Sequence, residues 1–387
     1  MKKMLSLLLA VLMIFAMTAC AKEPAETPET PGTETPGTET PAEDGKPYKA
    51  ALLLNGTLGD KSFFDSANSG LEALKKELGA EKFDFKVEQM GATPADEPKW
   101  EPTLLEYCDS EEYDVIIIGT WQMIDALENA SKQFPDQKFI FFDETYDFTA
   151  RANNNNIYNV LYKQNEVSYL IGAAAAMMTT NTELENIDPA TKTIGFLGGM
   201  ENPIINDFLV GYIQGAKEVD PEVKVAIGYV GNFYDSAAGK DIALTQYQSG
   251  GADVGYNVAG AAGLGQIEAA VDAKKYAFGV DSDQAALLPE KAQVIPTSAL
   301  KNVGNSLIRA IKLDLEGKLE YGKAESLGFA EGGVEIVKDA HYEEMLPEAI
   351  RKTLDELEQK ITDGDIVVDT AIGKSTEEIQ AIKDSVK

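Results

Sequence analysis

The pattern of apolar and polar residues is clearest in the stretch ALLLNGTLGDKSFFDSANSGLEALKKELG, residues 51–79. Its apolar run ends at Asn55, a polar loop follows, and apolar residues then recur at helical spacing. The recurring positions are Phe63, Ala67, Gly70, Leu71, Leu74 and Leu78. This pattern predicts a β-strand, a loop and an amphipathic helix. Because open α/β folds bind ligands at the carboxyl ends of their strands, the loop from Asn55 to Phe64 is the first candidate site.

The polar and aromatic residues of this loop have two interpretations. Asp60 or Ser62 fits the N-cap of the helix, and one of the two phenylalanines fits the core. Two adjacent aromatic residues at a strand-to-helix turn are harder to explain by packing alone. We therefore predict ligand contacts from Asn55, Asp60, Phe63 and Phe64.

The same alternation of short apolar runs and helical patterns continues through the chain. The predicted strands are Lys49–Leu54, Lys82–Glu88, Tyr113–Ile118, Lys138–Phe142, Ile157–Leu161, Thr193–Leu197, Lys224–Tyr229, Asp253–Val258, Tyr276–Val280 and Ala292–Pro296. Helical stretches lie between nearly all of them, which predicts parallel, doubly wound α/β lobes with right-handed crossovers. The folded region is too long for one ordinary core, so we expect two lobes, the second starting near Tyr162.

The N-terminus has the pattern of an export signal. Two lysines precede an apolar segment, residues 4–17, and Cys20 follows directly after Thr18-Ala19. This arrangement predicts a lipoprotein signal peptide at residues 1–19 and a lipid on Cys20; the alternative is a secreted protein with an incidental cysteine. Residues 20–46 repeat Thr, Pro and Glu without a large apolar residue, which predicts a disordered spacer. We expect the mature protein to be attached, through the lipid alone, to the extracytoplasmic face of a bacterial cell membrane.

Composition excludes several classes of partner. The formal net charge is −30, so binding to nucleic acid or to anionic lipid is not expected. The chain has two cysteines and one histidine, so we expect neither a disulfide framework nor a zinc or iron site. Cys108 fits an inert core residue. We expect a monomer without a cofactor.

Three more predicted strands end in residues with binding chemistry. Trp121 and Gln122 follow one of them, Asp143 ends another, and Asp281 ends a third. A carboxylate at a strand end accepts hydrogen bonds from two hydroxyl groups, as a sugar diol requires. Trp121 fits either the cleft or the core beneath it.

A glycine-rich loop follows the strand that carries Tyr256. Gly260 begins this loop and allows the backbone to approach a ligand closely. The spacing is not that of a dinucleotide fingerprint. Tyr256 fits either the core or a stacking surface.

The chain has no G-x-S-x-G elbow, no Walker A run and no H-E-x-x-H motif. We therefore do not expect an enzyme.

Several motifs together resemble one family. The motifs are GDKSFFDSANSGL, EVSYLIGAAAAMM, IGFLGGMENPIINDFLVGYIQGAK, YVGNFYDSAAGKDIAL, VAGAAGLGQIEAA, GVDSDQ, TSALK and EGGV. They run in order from about Tyr48 to past Val337 and resemble the basic membrane protein family, the substrate-binding lipoproteins of ABC transporters that include purine-nucleoside receptors. The resemblance implies the type I periplasmic-binding-protein fold, with two lobes joined by a hinge of three crossings. It implies an N-terminal lobe of residues 47–160 plus about 299–322 and a C-terminal lobe of residues 161–298 plus about 323–387.

The resemblance also implies the ligand and its contacts. In the family two aromatic rings enclose a nucleobase, and they correspond to Phe63 and Tyr256 here. The family's ribose-binding carboxylate corresponds to Asp281 and its lysine to Lys301, and Asp143 is expected to reach the ligand from the first lobe. Two departures are Asn55, where the family commonly has Asp, and Phe64-Asp65 within the family's SFNQ segment. An asparagine both donates and accepts, so the base edge that is bound is expected to differ.

The sequence thus predicts a lipid-anchored receptor that captures a nucleoside, a purine nucleoside by the resemblance, and delivers it to an ABC permease served by a separate ATPase. Three alternatives remain: a receptor for a sugar or another small polar metabolite, a surface nucleoside hydrolase, and an adhesin or structural lipoprotein.

Overall fold

The computed structural model describes residues 46–151 and 155–387. The predicted signal peptide, the predicted lipidation of Cys20 and all but the last residue of the predicted spacer lie outside these ranges. In the described part of the chain, no helix is both long enough and apolar enough to cross a bilayer.

Two six-stranded sheets form the framework of the described residues. The strands are β1 (Tyr48–Leu54), β2 (Phe83–Gln89), β3 (Val115–Gly119), β4 (Lys138–Phe142), β5 (Ile157–Tyr162), β6 (Thr193–Gly198), β7 (Lys224–Tyr229), β8 (Ala252–Val258), β9 (Tyr276–Asp281), β10 (Ser298–Lys301), β11 (Lys323–Leu327) and β12 (Val334–Ile336). The first sheet has the order β2-β1-β3-β4-β5-β11 and the second has the order β7-β6-β8-β9-β10-β12. Every strand pair is parallel except β10 with β12. The predicted class, α/β with two doubly wound lobes, is confirmed.

Helices connect the strands. They are α1 (Phe63–Leu78), α2 (Glu97–Asp109), α3 (Ile124–Gln133), α4 (Gln164–Thr179), α5 (Pro203–Val219), α6 (Ser236–Gln248), α7 (Leu264–Ala273), α8 (Gln284–Leu287), α9 (Val303–Leu315), α10 (Ala340–Met345), α11 (Glu348–Thr362) and α12 (Thr376–Asp384). In α1 the buried residues are Ala67, Gly70, Leu71 and Leu74, the face that its apolar spacing predicted. Strands such as β3 are buried on both faces, as parallel strands covered by helices must be.

The chain passes three times between the lobes. The first sheet contains β5 and the second contains β6, and α4 between them packs on α5 and β8 of the second lobe. After β10, the helix α9 packs on α1 of the first lobe. The third passage lies between β11 and β12, because β11 pairs with β5 while β12 pairs with β10. The predicted boundary at about 323 therefore falls before a strand that belongs to the first sheet.

One predicted strand is wrong, and three observed strands, β10, β11 and β12, were not predicted. Residues 292–296 do not form a strand, because Ala292–Val294 is a short 3₁₀ turn and the strand β10 begins two residues after Pro296. Proline lacks the amide proton that a ladder requires. The strands β11 and β12 lie at sheet edges, where β11 is mostly exposed and carries no apolar run. In β12 the alternation of buried Val334, exposed Glu335 and buried Ile336 was a detectable signal.

Glycines bring α4 and α5 into backbone contact. A Cβ atom at Gly172 would lie 1.9 Å from the carbonyl oxygen of Tyr212, and one at Gly215 would lie 1.8 Å from that of Tyr169. Neither distance leaves space for a methyl group. The two helices can therefore pack this closely only because both positions are glycine.

We expect Gly215→Ala to lower the free energy of unfolding by about 1–3 kcal/mol, because the added methyl group forces α4 and α5 apart. Urea unfolding at constant pH measures this change. As a control, Glu356→Ala on the exposed face of α11 should change the free energy by less than about 0.5 kcal/mol. Equal stability of Gly215→Ala and the wild type would contradict the close packing.

Candidate functional site

A cavity lies between the carboxyl ends of the strands of the two lobes. It is lined by Asn55, Gly56, Thr57, Asp60, Phe63, Phe64, Ala92, Pro94, Glu97, Thr120, Trp121, Gln122, Asp143, Met200, Asn202, Ile204, Ile205, Phe208, Gly231, Asn232, Phe233, Tyr234, Val258, Gly260, Ala261, Asp281 and Lys301. In the first sheet the strands that follow β1 in the chain lie on both sides of it, β2 on one side and β3 on the other. In the second sheet β7 and β8 flank β6 in the same way. The cavity is therefore at the topological switch point of each sheet, where ligands of doubly wound folds bind.

A buried ammonium group and two carboxylates form one wall. Lys301, at the end of β10, has a 3% exposed side chain, and its Nζ forms an ion pair with Asp143 at the end of β4. Burial raises the pKa of Asp143, while Lys301 opposes that rise. Burial also raises the pKa of Asp281, while Lys301 and the hydroxyl of Ser62 oppose it. The lysine thus favours the ionised, hydrogen-bond-accepting form of both carboxylates.

Three residues at strand ends have a left-handed backbone. Thr120 follows β3, Asp143 follows β4 and Asp281 ends β9, with φ of 73°, 69° and 62°. Non-glycine residues seldom adopt this conformation, and it costs on the order of 1–3 kcal/mol each. All three residues contribute to the site: Asp143, Asp281 and Thr120 line the cavity.

Two phenylalanine rings lie close to Lys301. Its Nζ is 5.1 Å from the ring centroid of Phe63 in α1 and 5.1 Å from that of Phe208 in α5. One ring belongs to each lobe, and both line the cavity. The site therefore has an aromatic surface from each lobe, beside the charged group.

Tyr256 does not provide the second ring, so this prediction is wrong. The residue is fully buried in β8, its hydroxyl lies 3.2 Å from Oγ of Ser168, and its ring packs on Phe196, Phe208 and Tyr212. It does not line the cavity. Tyr256 is a core residue that supports Phe208 from behind, with ring centroids 6.3 Å apart.

An uncharged polar group forms another wall of the cavity. Asn55 follows β1, and its Nδ2 donates to Oγ1 of Thr120 at 2.8 Å and to Oε1 of Gln122 at 3.1 Å. Asn55 is 6% exposed. Neighbouring strands are about 4.8 Å apart and β3 lies between β1 and β4, so Asn55 and Asp143 follow strands that are about 10 Å apart in the first sheet.

Asp60 lines the cavity but also binds the backbone. Its two carboxylate oxygens accept from the amides of Phe64 at 2.8 Å, Ser62 at 3.0 Å and Asp65 at 3.1 Å. Burial raises the pKa of Asp60 to about 6, against the effect of these amides. Asp60 thus holds the loop against the start of α1. This agrees with the sequence interpretation in which Asp60 caps the helix.

The remaining predicted residues occupy the edge of the cavity. Trp121 is 42% exposed and lines the cavity, while Met123 is fully buried beneath it, which answers the question left open by the sequence. Gly260 lines the cavity with φ of 56°. The Phe64 ring lies against Gly56, where a Cβ would be 2.1 Å from the ring.

The sequence prediction missed the loops after β6 and β7 and a residue inside α5. Asn202, Phe208, Phe233 and Tyr234 in these segments all line the cavity. Ligands of such folds bind at the carboxyl ends of the strands. Applying this rule to β6 and β7 as well would have identified the two loops. Phe208 lies well inside a helix, where no such rule applies.

Hydrogen bonds also join the lobes directly beside the cavity. Ser62 Oγ donates to Asp281, Ser282 Oγ donates to the carbonyl of Ser62 at 3.0 Å, and Gln284 Nε2 donates to the carbonyl of Lys61 at 3.1 Å. The described conformation is therefore one in which the loop before α1 contacts the loop after β9.

Two doubly wound lobes that enclose a cavity lined from both define a solute-binding protein of the type I periplasmic architecture. The sequence profile described as "ABC transporter substrate-binding protein PnrA-like" matches residues 48–370, and the chain belongs to this family. The predicted membership of the basic membrane protein family is confirmed. A substrate-binding protein of an ABC transporter implies a permease and an ATPase as partners.

Relatives and a solved structure agree with this assignment. The chain is 31% identical to Basic membrane protein A1 of Borrelia garinii over 323 residues, 83% of this chain and 88% of that protein. It is 33% identical to an uncharacterized lipoprotein of Pyrococcus furiosus over 301 residues, 75% of this chain and 70% of that protein. The crystal structure of an ABC transporter solute-binding protein from Aeropyrum pernix superimposes with a TM-score of 0.73 and 25% identity, covering 88% of this chain and all of that one.

The raised pKa of Asp60 makes stability depend on pH in a defined direction. A carboxyl with a pKa of about 6 in the folded state and 3.8 when unfolded destabilises the fold increasingly as pH rises toward 6. We therefore expect the free energy of unfolding of Asp60→Asn, relative to wild type, to increase by about 1.4 kcal/mol between pH 5 and pH 8. Urea unfolding of both proteins at the two pH values measures this. A relative free energy that is independent of pH would show that burial does not raise this pKa.

Proposed function

We propose that this protein captures a nucleoside between its two lobes and delivers it to an ABC importer, with the ATPase on a separate subunit. The observation that carries the proposal is the pair of phenylalanine rings, Phe63 and Phe208, that lie near Lys301 and line the same cavity as Asp143 and Asp281. Aromatic rings stack on a nucleobase, and carboxylates with an ammonium group bind ribose hydroxyl groups. Capture of the ligand, rather than a reaction on it, is the activity we assign.

The two walls of the cavity match the two ends of a nucleoside. The carboxylate–lysine wall suits the sugar, and the uncharged wall of Asn55, Thr120 and Gln122 suits the polar edge of a base. A free sugar would use only one of these walls.

Charge favours a ligand without phosphate. The charged residues that line the cavity are Asp60, Glu97, Asp143, Asp281 and Lys301. Four of the five are acidic, and the one lysine is already paired with Asp143. A nucleotide would bring its phosphate toward carboxylates without a free cation, so the nucleoside is the better fit.

We further propose that a lipid on Cys20 attaches the protein to the extracytoplasmic face of the membrane and that residues 20–46 act as the spacer. The sequence around Cys20 and the lipoprotein relative from Pyrococcus furiosus support this. An anchored receptor stays close to the permease that it serves.

Calorimetric titration of the full chain in detergent, unfolded and refolded beforehand to remove retained ligand, tests the proposal. Adenosine, guanosine, inosine, uridine, cytidine and ribose are compared. We expect one-to-one binding of at least one nucleoside and no heat from ribose. Ribose binding as tightly as any nucleoside would favour the sugar receptor, free base in the incubated sample would favour the hydrolase, and no heat from any ligand would reject the proposal.

Asp281→Ala should weaken nucleoside binding by at least about tenfold, because it removes a buried acceptor for the ribose hydroxyl groups. Asp283→Ala is the matched control, since Asp283 caps α8 through the amide of Ala286 and does not line the cavity. The control should bind as the wild type does. Unchanged affinity of Asp281→Ala, measured by the same titration, would remove the ribose assignment.

Phe208→Ala should weaken binding by about tenfold or more, because stacking contributes about 1–3 kcal/mol per base. Tyr256→Phe should bind within about threefold of the wild type, since the ring that supports Phe208 is kept and only the hydroxyl is lost. A titration in which Phe208→Ala binds as tightly as the wild type would contradict the stacking role of Phe208.

A further inference from the structure

Asn55 has one buried polar atom without a partner. Both protons of its Nδ2 are used, one by Thr120 and one by Gln122. Its Oδ1 is buried and accepts no hydrogen bond from the protein. The residue is 6% exposed and lines the cavity.

The partners of Asn55 are themselves held in place. The amide of Thr120 donates to the carbonyl of Phe142 at 3.1 Å, and its carbonyl accepts from the amide of Met123 at 3.1 Å. Gln122 lies between them in the 3₁₀ turn Trp121–Met123. The loop after β3 therefore fixes which atom of Asn55 is left for a ligand.

We propose that Oδ1 of Asn55 accepts a hydrogen bond from an N–H group on the base of the bound nucleoside, and so selects bases that carry such a group. This inference rests on the proposed function. A buried acceptor without a donor is unfavourable, so a ligand that supplies one gains affinity over a ligand that cannot. The sequence led us to expect that Asn55 would both donate to the ligand and accept from it. Because Thr120 and Gln122 accept from its Nδ2, only its acceptor Oδ1 is left for the ligand.

Toward a ligand, Asn55 therefore presents an acceptor, as a carboxylate would, but without the negative charge. The cavity already contains the carboxylates of Asp60, Asp143 and Asp281. A further buried negative charge would carry a desolvation cost that the neutral amide avoids.

The test is a calorimetric titration of the refolded full chain with adenosine, inosine, guanosine and purine riboside. Purine riboside keeps the two rings and the ribose but has no N–H group on its six-membered ring. We expect the tightest of the three other nucleosides to bind at least tenfold more tightly than purine riboside.

Two variants of Asn55 then separate acceptor from donor. Asn55→Asp keeps an acceptor and should keep the preference for the tightest nucleoside over purine riboside. Asn55→Leu removes the acceptor and should reduce this preference to threefold or less. Thermal unfolding of both variants checks that they fold. Binding of purine riboside to the wild type within threefold of the tightest nucleoside, or an undiminished preference over purine riboside in a folded Asn55→Leu, would overturn the inference. A wild type that binds no nucleoside at all would instead reject the proposed function, and with it this inference.

Discussion

Lys301 is buried where the two lobes meet, and the site depends on how its charge is compensated. An ammonium group with a 3% exposed side chain requires close partners, because desolvating an unpaired charge is costly. Asp143 provides the partner from the first lobe, and Asp281 lies near enough that Lys301 opposes the rise of its pKa. Neither carboxylate would stay ionised so readily in this position without the lysine. The same three groups therefore join the lobes and supply the charged wall of the cavity.

The topology explains why these groups meet. Parallel strands direct all their carboxyl ends to one edge, and the reversal of strand order at β1/β3 and β6/β8 opens a crevice there. Asp143 follows β4 of the first sheet, whereas Asp281 and Lys301 end the neighbouring strands β9 and β10 of the second sheet. Backbone strain at Asp143 and Asp281 is tolerated because buried β-strands fix their positions. A cavity with a charged wall and an uncharged amide wall is the result.

Strand-end reasoning from the sequence led to residues that line the cavity. Asn55, Gln122, Asp143 and Asp281 each follow or end a strand, whereas Lys301 was named through the family resemblance, and all five line the cavity. The same reasoning failed at Tyr256, because a position inside a strand alternates between faces and the sequence does not say which face is covered. Residues 256 and 208 are both aromatic, so only packing distinguishes the core ring from the cavity ring.

The sequence by itself determined the α/β class, nine of the twelve described strands, the amphipathic face of α1 and the strand ends that carry polar chemistry. These features are local, since they follow from apolar periodicity and from the residues that interrupt it. Tertiary structure decided that Phe208 rather than Tyr256 faces the cavity, that β11 joins the first sheet, and that Thr120 and Gln122 occupy both protons of Asn55. Each of these depends on contacts between segments distant in the chain, whose geometry no local pattern encodes.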